Sequence, residues 1–163
     1  MNRILIITLI LVTVFLSGCV QSDISNINDM SISINNHLNK GDEYYNQSAT
    51  NANKMILSQA LTDSNNANAE YSLAQTSAQT ALNSAKNAND GIFIDYIQNA
   101  LLEIQAKLNA TSELKTAITL LQNNDTSSAN EHLGAANDYM NNALQYKKNR
   151  EDIVNQNPSK FKQ

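Results

Sequence analysis

The sequence contains few of the residues that interrupt helices. Its 163 residues include four glycines, one proline and no tryptophan. Glycine and proline are the strongest local breakers of regular structure, so their scarcity favours long helices. Strand-forming β-branched and aromatic residues are sparse after Val20. Asparagine makes up about one residue in six and is expected mainly at caps and turns. The composition therefore predicts an all-α protein.

Positive charge and cysteine are also scarce. The chain has 11 lysines and arginines against 15 aspartates and glutamates, for a net charge of -4. A nucleic-acid-binding domain normally carries a basic stripe, so we expect no nucleic-acid partner. The single cysteine, Cys19, has no second cysteine in the chain with which to form a disulfide. Its presence therefore needs another explanation.

The N-terminus has the pattern of an export signal. Arg3 is followed by an uncharged, mainly apolar run over residues 4–15, and the small residues Ser17 and Gly18 precede Cys19. A positive start, a short apolar run and small residues before the cleavage site are typical of a secretory signal peptide. A retained transmembrane anchor is the alternative. From Ile4 to Val20 the stretch is about 17 residues, at the short limit for a membrane-spanning helix.

The segment Leu16-Ser17-Gly18-Cys19 resembles the lipobox of prokaryotic lipoproteins. In that family a diacylglyceryl group is attached to the cysteine thiol and the preceding peptide is removed. The resemblance implies a signal peptide at residues 1–18, lipid attachment at Cys19 and an outward-facing position on the cell membrane or another envelope membrane. Two acyl chains are enough for stable anchoring. Loss of Arg3 with the signal takes the net charge from -4 to -5.

Beyond a short tether at residues 19–22, apolar residues recur at three- and four-residue intervals, the period of amphipathic helices. Turn-forming segments separate four such stripes, at residues 46–50, 89–91 and 123–126. The first three helices are predicted at about residues 23–46, 50–88 and 91–122, and the fourth from the last turn to about residue 155. Weak helix formers at 62–66 leave a break in the second helix as an alternative. A flexible tail is expected at 158–163, after Pro158 ends the fourth helix.

The second and third helices have complementary stripes. Apart from Tyr71, the stripe of the second consists of small residues: Ala60, Ser64, Ala67, Ala74, Ala78, Ala81, Ala85 and Ala88. The stripe of the third is bulky and aliphatic: Ile94, Ile97, Leu101, Ile104, Leu108, Leu114, Ile118 and Leu121. A short connection makes consecutive helices antiparallel neighbours. The sequence thus predicts an elongated antiparallel four-helix bundle over residues 23–157, with a second helix of about 60 Å.

Both predicted hairpins are similar in part to tetratricopeptide repeats. The matching residues are Gly41, Tyr44, Ala60 and Leu61 in the first hairpin, and Ala129, Leu133 and Ala136 in the second. Asn53 and Asn65 stand where that pattern has alanine and proline, and the predicted helices are longer than the repeat. The similarity therefore implies helical hairpins but not the repeat family's peptide binding.

The sequence offers little from which to build an active site. His37 and His132, the only histidines, lack the upstream glutamate of the Glu-x-x-His pattern found in di-iron bundles. Phosphate-loop, HExxH and GxGxxG motifs do not occur. We therefore expect no enzymatic activity, cofactor or metal. The two histidines could form a metal-binding or pH-sensing pair if the first and fourth helices are neighbours, or they could be half-exposed residues at the stripe edges.

Three further groups of residues leave alternatives open. Asn46, Asn109 and Asn124 begin candidate N-glycosylation sequons, and Asn46 and Asn124 fall in predicted turns. Basic residues near the end of the fourth helix could stabilise its C-terminus or contact anionic lipid or wall polymer; these are Lys147, Lys148 and Arg150. The six tyrosines could belong to the core or to a partner interface: Tyr44, Tyr45, Tyr71, Tyr96, Tyr139 and Tyr146.

Taken together, these patterns predict a membrane-anchored envelope lipoprotein that acts as a non-enzymatic helical binding or spacer module. Membrane lipid would hold it through acylated Cys19, and an envelope protein or polymer is the expected partner. The alternative is a small-ligand sensor or solute-binding lipoprotein with a pocket between helices. A cavity lined by tyrosine and asparagine would favour that alternative, whereas a solid alanine and leucine seam would favour the first function. The oligomeric state is left open.

Overall fold

The computed structural model describes the backbone of residues 2–161 and the side chains of residues 25–161. Over that part of the chain it contains four α-helices and no strand. They are α1 (Asn2–Asn53), α2 (Leu57–Asn87), α3 (Gly91–Gln122) and α4 (Thr126–Gln156). The predicted all-α fold is confirmed. The proposed signal peptide and the Cys19 side chain lie outside the described side chains.

Each helix packs against the next one in the chain, as expected for an antiparallel four-helix bundle. Contacts join α1 to α2, α2 to α3 and α3 to α4, and α1 also approaches α3 at a few positions. Among the described residues, however, no Cα atom of α1 comes within 8 Å of a Cα atom of α4. The bundle is therefore open along one side, between its first and last helices. Within residues 25–161, no helical stretch is long and apolar enough to cross a membrane.

The prediction of a first turn at residues 46–50 is wrong. α1 continues to Asn53, and the turn consists of Lys54, Met55 and Ile56. Residues 46–50 contain no large apolar residue, because Ser48 occupies the position of this segment that is buried. That hydroxyl lies 2.8 Å from the carbonyl oxygen of Ala60 and 2.7 Å from the hydroxyl of Ser64, so a polar residue is satisfied within the core.

The second helix is continuous through residues 62–66, so the alternative of a break there is wrong. Asp63 is buried, and its carboxylate accepts hydrogen bonds of 2.8 Å from both Asn51 and Gln59. These partners stabilise a residue that is otherwise a weak helix former. Because α2 begins at Leu57, its 31 residues span about 46 Å instead of the expected 60 Å.

The small-residue stripe of α2 lies in the core of the bundle. Its alanines from Ala60 to Ala85 are fully buried, as are the bulky residues Ile97, Ile104 and Ile118 of α3. Close packing also requires a glycine on α1. A Cβ atom at Gly41 would lie 2.3 Å from the ring of Tyr71, so only glycine leaves room for that fully buried tyrosine.

All three turns contain one residue with positive φ, at Met55 (59°), Asn89 (51°) and Asn124 (60°). Asparagine tolerates this left-handed conformation better than most residues do. In the second and third turns an aspartate follows the asparagine and caps the next helix. Asp90 accepts hydrogen bonds from the backbone N–H groups of Ile92 and Phe93, and Asp125 accepts one from Ser128. The first turn has neither asparagine nor a side-chain cap.

The C-terminal segment is packed on the bundle as far as Phe161, whereas the sequence suggested a flexible tail from residue 158. The Phe161 ring is 9% exposed and lies 5.0 Å from the ring of Phe93 and 4.9 Å from that of Tyr96, between centroids. Lys160 forms an ion pair with Asp90 at 2.5 Å. Burial alone would raise the pKa of Asp90. The ammonium of Lys160 and the backbone N–H groups of Phe93 and Ile92 instead hold that pKa below its usual value.

Candidate binding groove

The open side of the bundle forms a groove of about 470 Å³ between α1 and α4. We call it the α1–α4 groove. One wall consists of the α1 residues Asn35, Leu38, Asn39 and Asp42. The other consists of the α4 residues Lys147, Arg150, Glu151, Val154 and Asn155, and the floor contains Tyr96 and Glu103 of α3. The volume lies in the range typical of small-molecule sites.

A network of buried charges lies at and beneath the floor. Glu103 is 1% exposed, Lys107 3% and Arg150 6%. Arg150 donates from Nε at 2.8 Å and lies with Nη2 at 2.6 Å from one oxygen of Glu103, while Lys107 lies 3.1 Å from the other oxygen. Both oxygens of the buried carboxylate are therefore paired with a cation, as a charge in a low-dielectric interior requires.

Asp42 completes the network on the α1 side. The ammonium of Lys107 donates to both carboxylate oxygens of Asp42, at 2.5 and 2.6 Å, and the hydroxyl of Tyr71 donates at 2.8 Å. Burial and the negative charge of Asp42 raise the pKa of the Tyr71 phenol, which stays neutral and can donate this bond. With Glu103 and Arg150, the network contains two positive and two negative charges and is neutral overall.

Arg150 is the side chain that connects the two walls. Its Nη1 donates to the carboxamide oxygen of Asn35 at 2.8 Å and to the hydroxyl of Tyr96 at 3.1 Å. The guanidinium also lies 5.3 Å from the centroid of the Tyr96 ring, within the range of a cation–π interaction. One residue of α4 therefore contacts α1 and α3 beneath the groove and holds the floor in place.

The rim of the groove differs from its floor. Asn39, Lys147, Glu151 and Asn155 line the groove and are exposed or half-exposed. Within the described part of the chain, none of the four makes a side-chain hydrogen bond or an ion pair. A floor whose polar groups are all paired thus lies below two free carboxamides, one free ammonium and one free carboxylate. This arrangement suits reversible binding of a polar ligand.

The two histidines do not form a pair with each other. His37 of α1 lies 2.6 Å from Glu70 of α2, and His132 of α4 lies 2.5 Å from Glu113 of α3. Each histidine therefore joins the two helices of its own hairpin, and the alternative of a histidine pair between the first and fourth helices is wrong. Over residues 25–161, no three His, Cys, Asp or Glu side chains converge on a point where they could hold a metal ion.

The sequons are not all in turns. Asn46 is exposed but lies within α1, and Asn109 is half-buried in the middle of α3, where it accepts a hydrogen bond from Gln105. Asn124 is exposed and occupies the turn between α3 and α4. Among the three, Asn124 therefore has the surroundings expected of a glycan acceptor. Glycosylation at any of them stays a prediction.

The expected basic end of α4 separates into residues with different environments. Lys147 lines the rim of the groove, Lys148 is exposed and outside it, and Arg150 is buried in the charge network. Because Arg150 is buried, the alternative that it contacts anionic lipid or wall polymer is wrong. Among the tyrosines, Tyr45, Tyr71 and Tyr96 are buried, which confirms a core position for these three.

Sequence reasoning missed Glu103, Lys107 and Asp42 as members of a network. Glu103 and Lys107 are four residues apart and border the apolar stripe of α3 beside Ile104. Such a pair usually lies on a solvated helix face. Gly41, a glycine within a helix directly before Asp42, was the other feature of the sequence that could have indicated close packing at this site.

No family model, curated protein or solved structure matches this chain. The assignment of a function therefore depends on the groove.

Proposed function

We propose that this chain is a non-enzymatic binding lipoprotein, held on the outer face of an envelope membrane through acylated Cys19, and that the α1–α4 groove is its binding site. The observation that carries this proposal is the groove itself, with its saturated ionic floor and its unpartnered polar rim. The lipobox-like segment Leu16–Cys19 supports the location.

The composition of the floor supports binding over a purely structural role. Removing charged groups from water costs several kcal/mol for each ion, and well-packed hydrophobic residues often stabilise a fold at least as well as a buried ion pair. Apolar side chains in place of the Glu103–Arg150 pair could therefore preserve the stability of the bundle. Charged side chains in the interior, where apolar ones would give equal stability, are expected mainly at functional sites.

The size and lining of the groove favour the small-ligand form of this function. Three asparagines and a tyrosine line it, Asn35, Asn39, Asn155 and Tyr96, and about 470 Å³ accommodates a compact ligand. The solid alanine seam of α2 and its length of about 46 Å support the second form, a spacer or a module that binds an envelope protein or polymer.

Membrane attachment is tested by fractionating the native host that carries either the wild-type chain or Cys19→Ser. The wild-type chain is expected in the membrane fraction. The variant, which lacks the thiol that would be acylated, is expected in the soluble envelope fraction or the medium. If Cys19→Ser stays in the membrane fraction to the same extent as the wild type, lipid anchoring at Cys19 is refuted.

Binding in the groove is tested by placing the photoreactive amino acid p-benzoylphenylalanine at Asn39 in the native host. Asn36 provides a matched control, because it is an exposed asparagine of the same helix that does not line the groove. Irradiation should attach a specific molecule at position 39, detected as a defined mass increase, and should not do so at position 36. Equal adducts at both positions, or none at position 39, would contradict the proposal.

A further inference from the structure

The free groups of the rim consist of one cation, one anion and two carboxamides. Lys147 and Glu151 are four residues apart on α4 and so lie on the same face of the helix. Neither takes part in an ion pair in the described part of the chain. The floor adds no net charge, because its two cations and two anions compensate each other. A ligand that satisfies this rim must carry one charge of each sign.

The spacing of the two residues favours a zwitterion longer than a single amino acid. Four residues of an α-helix correspond to about 6 Å along its axis. The ammonium and carboxylate of a single amino acid are attached to one carbon atom, so contact with both would require the Lys147 and Glu151 side chains to converge. A chain of two or three residues, at up to about 3.5 Å for each residue, separates its terminal charges by a matching distance.

The two carboxamides complement the remaining polar groups of such a chain. Each peptide unit presents one N–H donor and one C=O acceptor. Asn39 on α1 and Asn155 on α4 each present an acceptor oxygen and two N–H donors, on opposite walls of the groove. The α1 wall from Asn35 to Asp42 is about 10 Å long at 1.5 Å per residue, which again corresponds to two or three extended residues.

We infer that the α1–α4 groove binds a free peptide of two or three residues in its zwitterionic form. Lys147 contacts the terminal carboxylate, and Glu151 contacts the terminal ammonium. Asn39 binds a peptide unit between them, and Asn155, one turn beyond Glu151 on α4, accepts a hydrogen bond from the same ammonium. This inference rests on the proposed function, since it names the ligand class of the same groove. It requires no chemical step and no further cofactor.

The test uses the full lipidated chain, labelled with ¹⁵N and purified in detergent. A mixture of random-sequence tripeptides is added first, followed by trialanine alone. The side-chain NH₂ resonances of Asn39 and Asn155 are expected to shift, while those of Asn36 stay in place. Trialanine with an acetylated N-terminus and an amidated C-terminus should bind at least about tenfold more weakly, because it lacks both terminal charges. Alanine should also bind at least about tenfold more weakly, because its two charges are on one carbon atom and it has no peptide unit for Asn39 to bind.

Two substitutions assign the ends of the peptide. Lys147→Gln should weaken trialanine binding about tenfold and abolish the preference for a free carboxylate over a C-terminal amide. Glu151→Gln should do the same for the free ammonium over an acetylated N-terminus. Lys148→Gln and Asp152→Asn are the matched controls, since both residues are exposed, lie one position further along α4 and are outside the groove. Neither control should alter the affinity, and thermal melting should show all four variants folded.

The inference is overturned if capped trialanine or free alanine binds as tightly as trialanine. It is also overturned if the tripeptide mixture leaves the Asn39 and Asn155 resonances unchanged. If in that case the photoreactive residue at position 39 still captures a molecule, the proposed binding function stands and only the peptide assignment fails. If the crosslink at position 39 also gives no adduct, the groove is not a binding site and both fail.

Discussion

Arg150→Met tests whether the charge network holds the groove floor together. The side chains of Arg150 and Glu103 are 7% and 1% exposed, so this is a buried ion pair. Ion pairs on the surface contribute only about 0–1 kcal/mol to the free energy of unfolding. Removing one partner of a buried pair usually costs about 3–5 kcal/mol, because a charge remains buried without compensation. Lys107 still lies 3.1 Å from Glu103 and offsets part of this cost. We therefore expect a loss of about 3 kcal/mol.

The double variant Glu103→Met with Arg150→Met separates this explanation from simple loss of packing. It removes both charges, leaves Lys107 paired with Asp42, and fills the space with apolar side chains. Replacing a buried ion pair in this way is often neutral or stabilising. We therefore expect the double variant to be more stable than Arg150→Met alone. Lys148→Met, on the exposed face of α4, should change stability by less than about 0.5 kcal/mol.

The assay is urea unfolding followed by circular dichroism at pH 7, from which the midpoint and the slope m give the free energy of unfolding. An unchanged m would show that the variants unfold from an equally compact state. Arg150→Met within about 1 kcal/mol of the wild type would refute the buried-network explanation. A double variant that is less stable than Arg150→Met would refute it as well, because removing the orphaned carboxylate should restore stability.

Three further predictions concern the α1–α2 hairpin. Gly41→Ala places a Cβ atom 2.3 Å from the ring of Tyr71 and should destabilise the chain by about 1–3 kcal/mol, measured by urea unfolding; no loss would show that α1 can shift. Met55→Asn should stabilise it by about 1 kcal/mol, because Met55 is 60% exposed and has a φ of 59°, a conformation that asparagine tolerates better. A lower melting temperature would count against this reasoning. Burial raises the pKa of Tyr45 from 10.0 to about 12, so the folded state holds this proton more tightly than the unfolded state. Its contribution to stability is complete below pH 10 and should be lost, by about 2 kcal/mol, as the pH rises toward 12. Tyr45→Phe should flatten that decline, and an unchanged pH profile would exclude Tyr45 as its source.

The helices and two of the three turns could be predicted because their signals are local. Apolar spacing identified the buried stripes of α2 and α3, and Asn89 with Asp90 marked the turn between them. The first turn was misplaced because Met55 and Ile56 carry no turn signal. In addition, Ser48 is buried only because Ala60 and Ser64 of the next helix satisfy its hydroxyl.

The sequence by itself determined the fold class, the number of helices, the alanine stripe that packs them and the lipobox-like segment from which the proposed location follows. These features depend on residue types and spacings within single helices or turns. The tertiary structure alone decided that α1 and α4 stay apart, that the groove between them is lined by asparagines, and that its floor is charged. Arg150 lies 115 residues from Asn35 and 47 from Glu103 in the chain. The burial and pairing of a charge depend on which distant helix faces it, and no spacing within one helix carries that information.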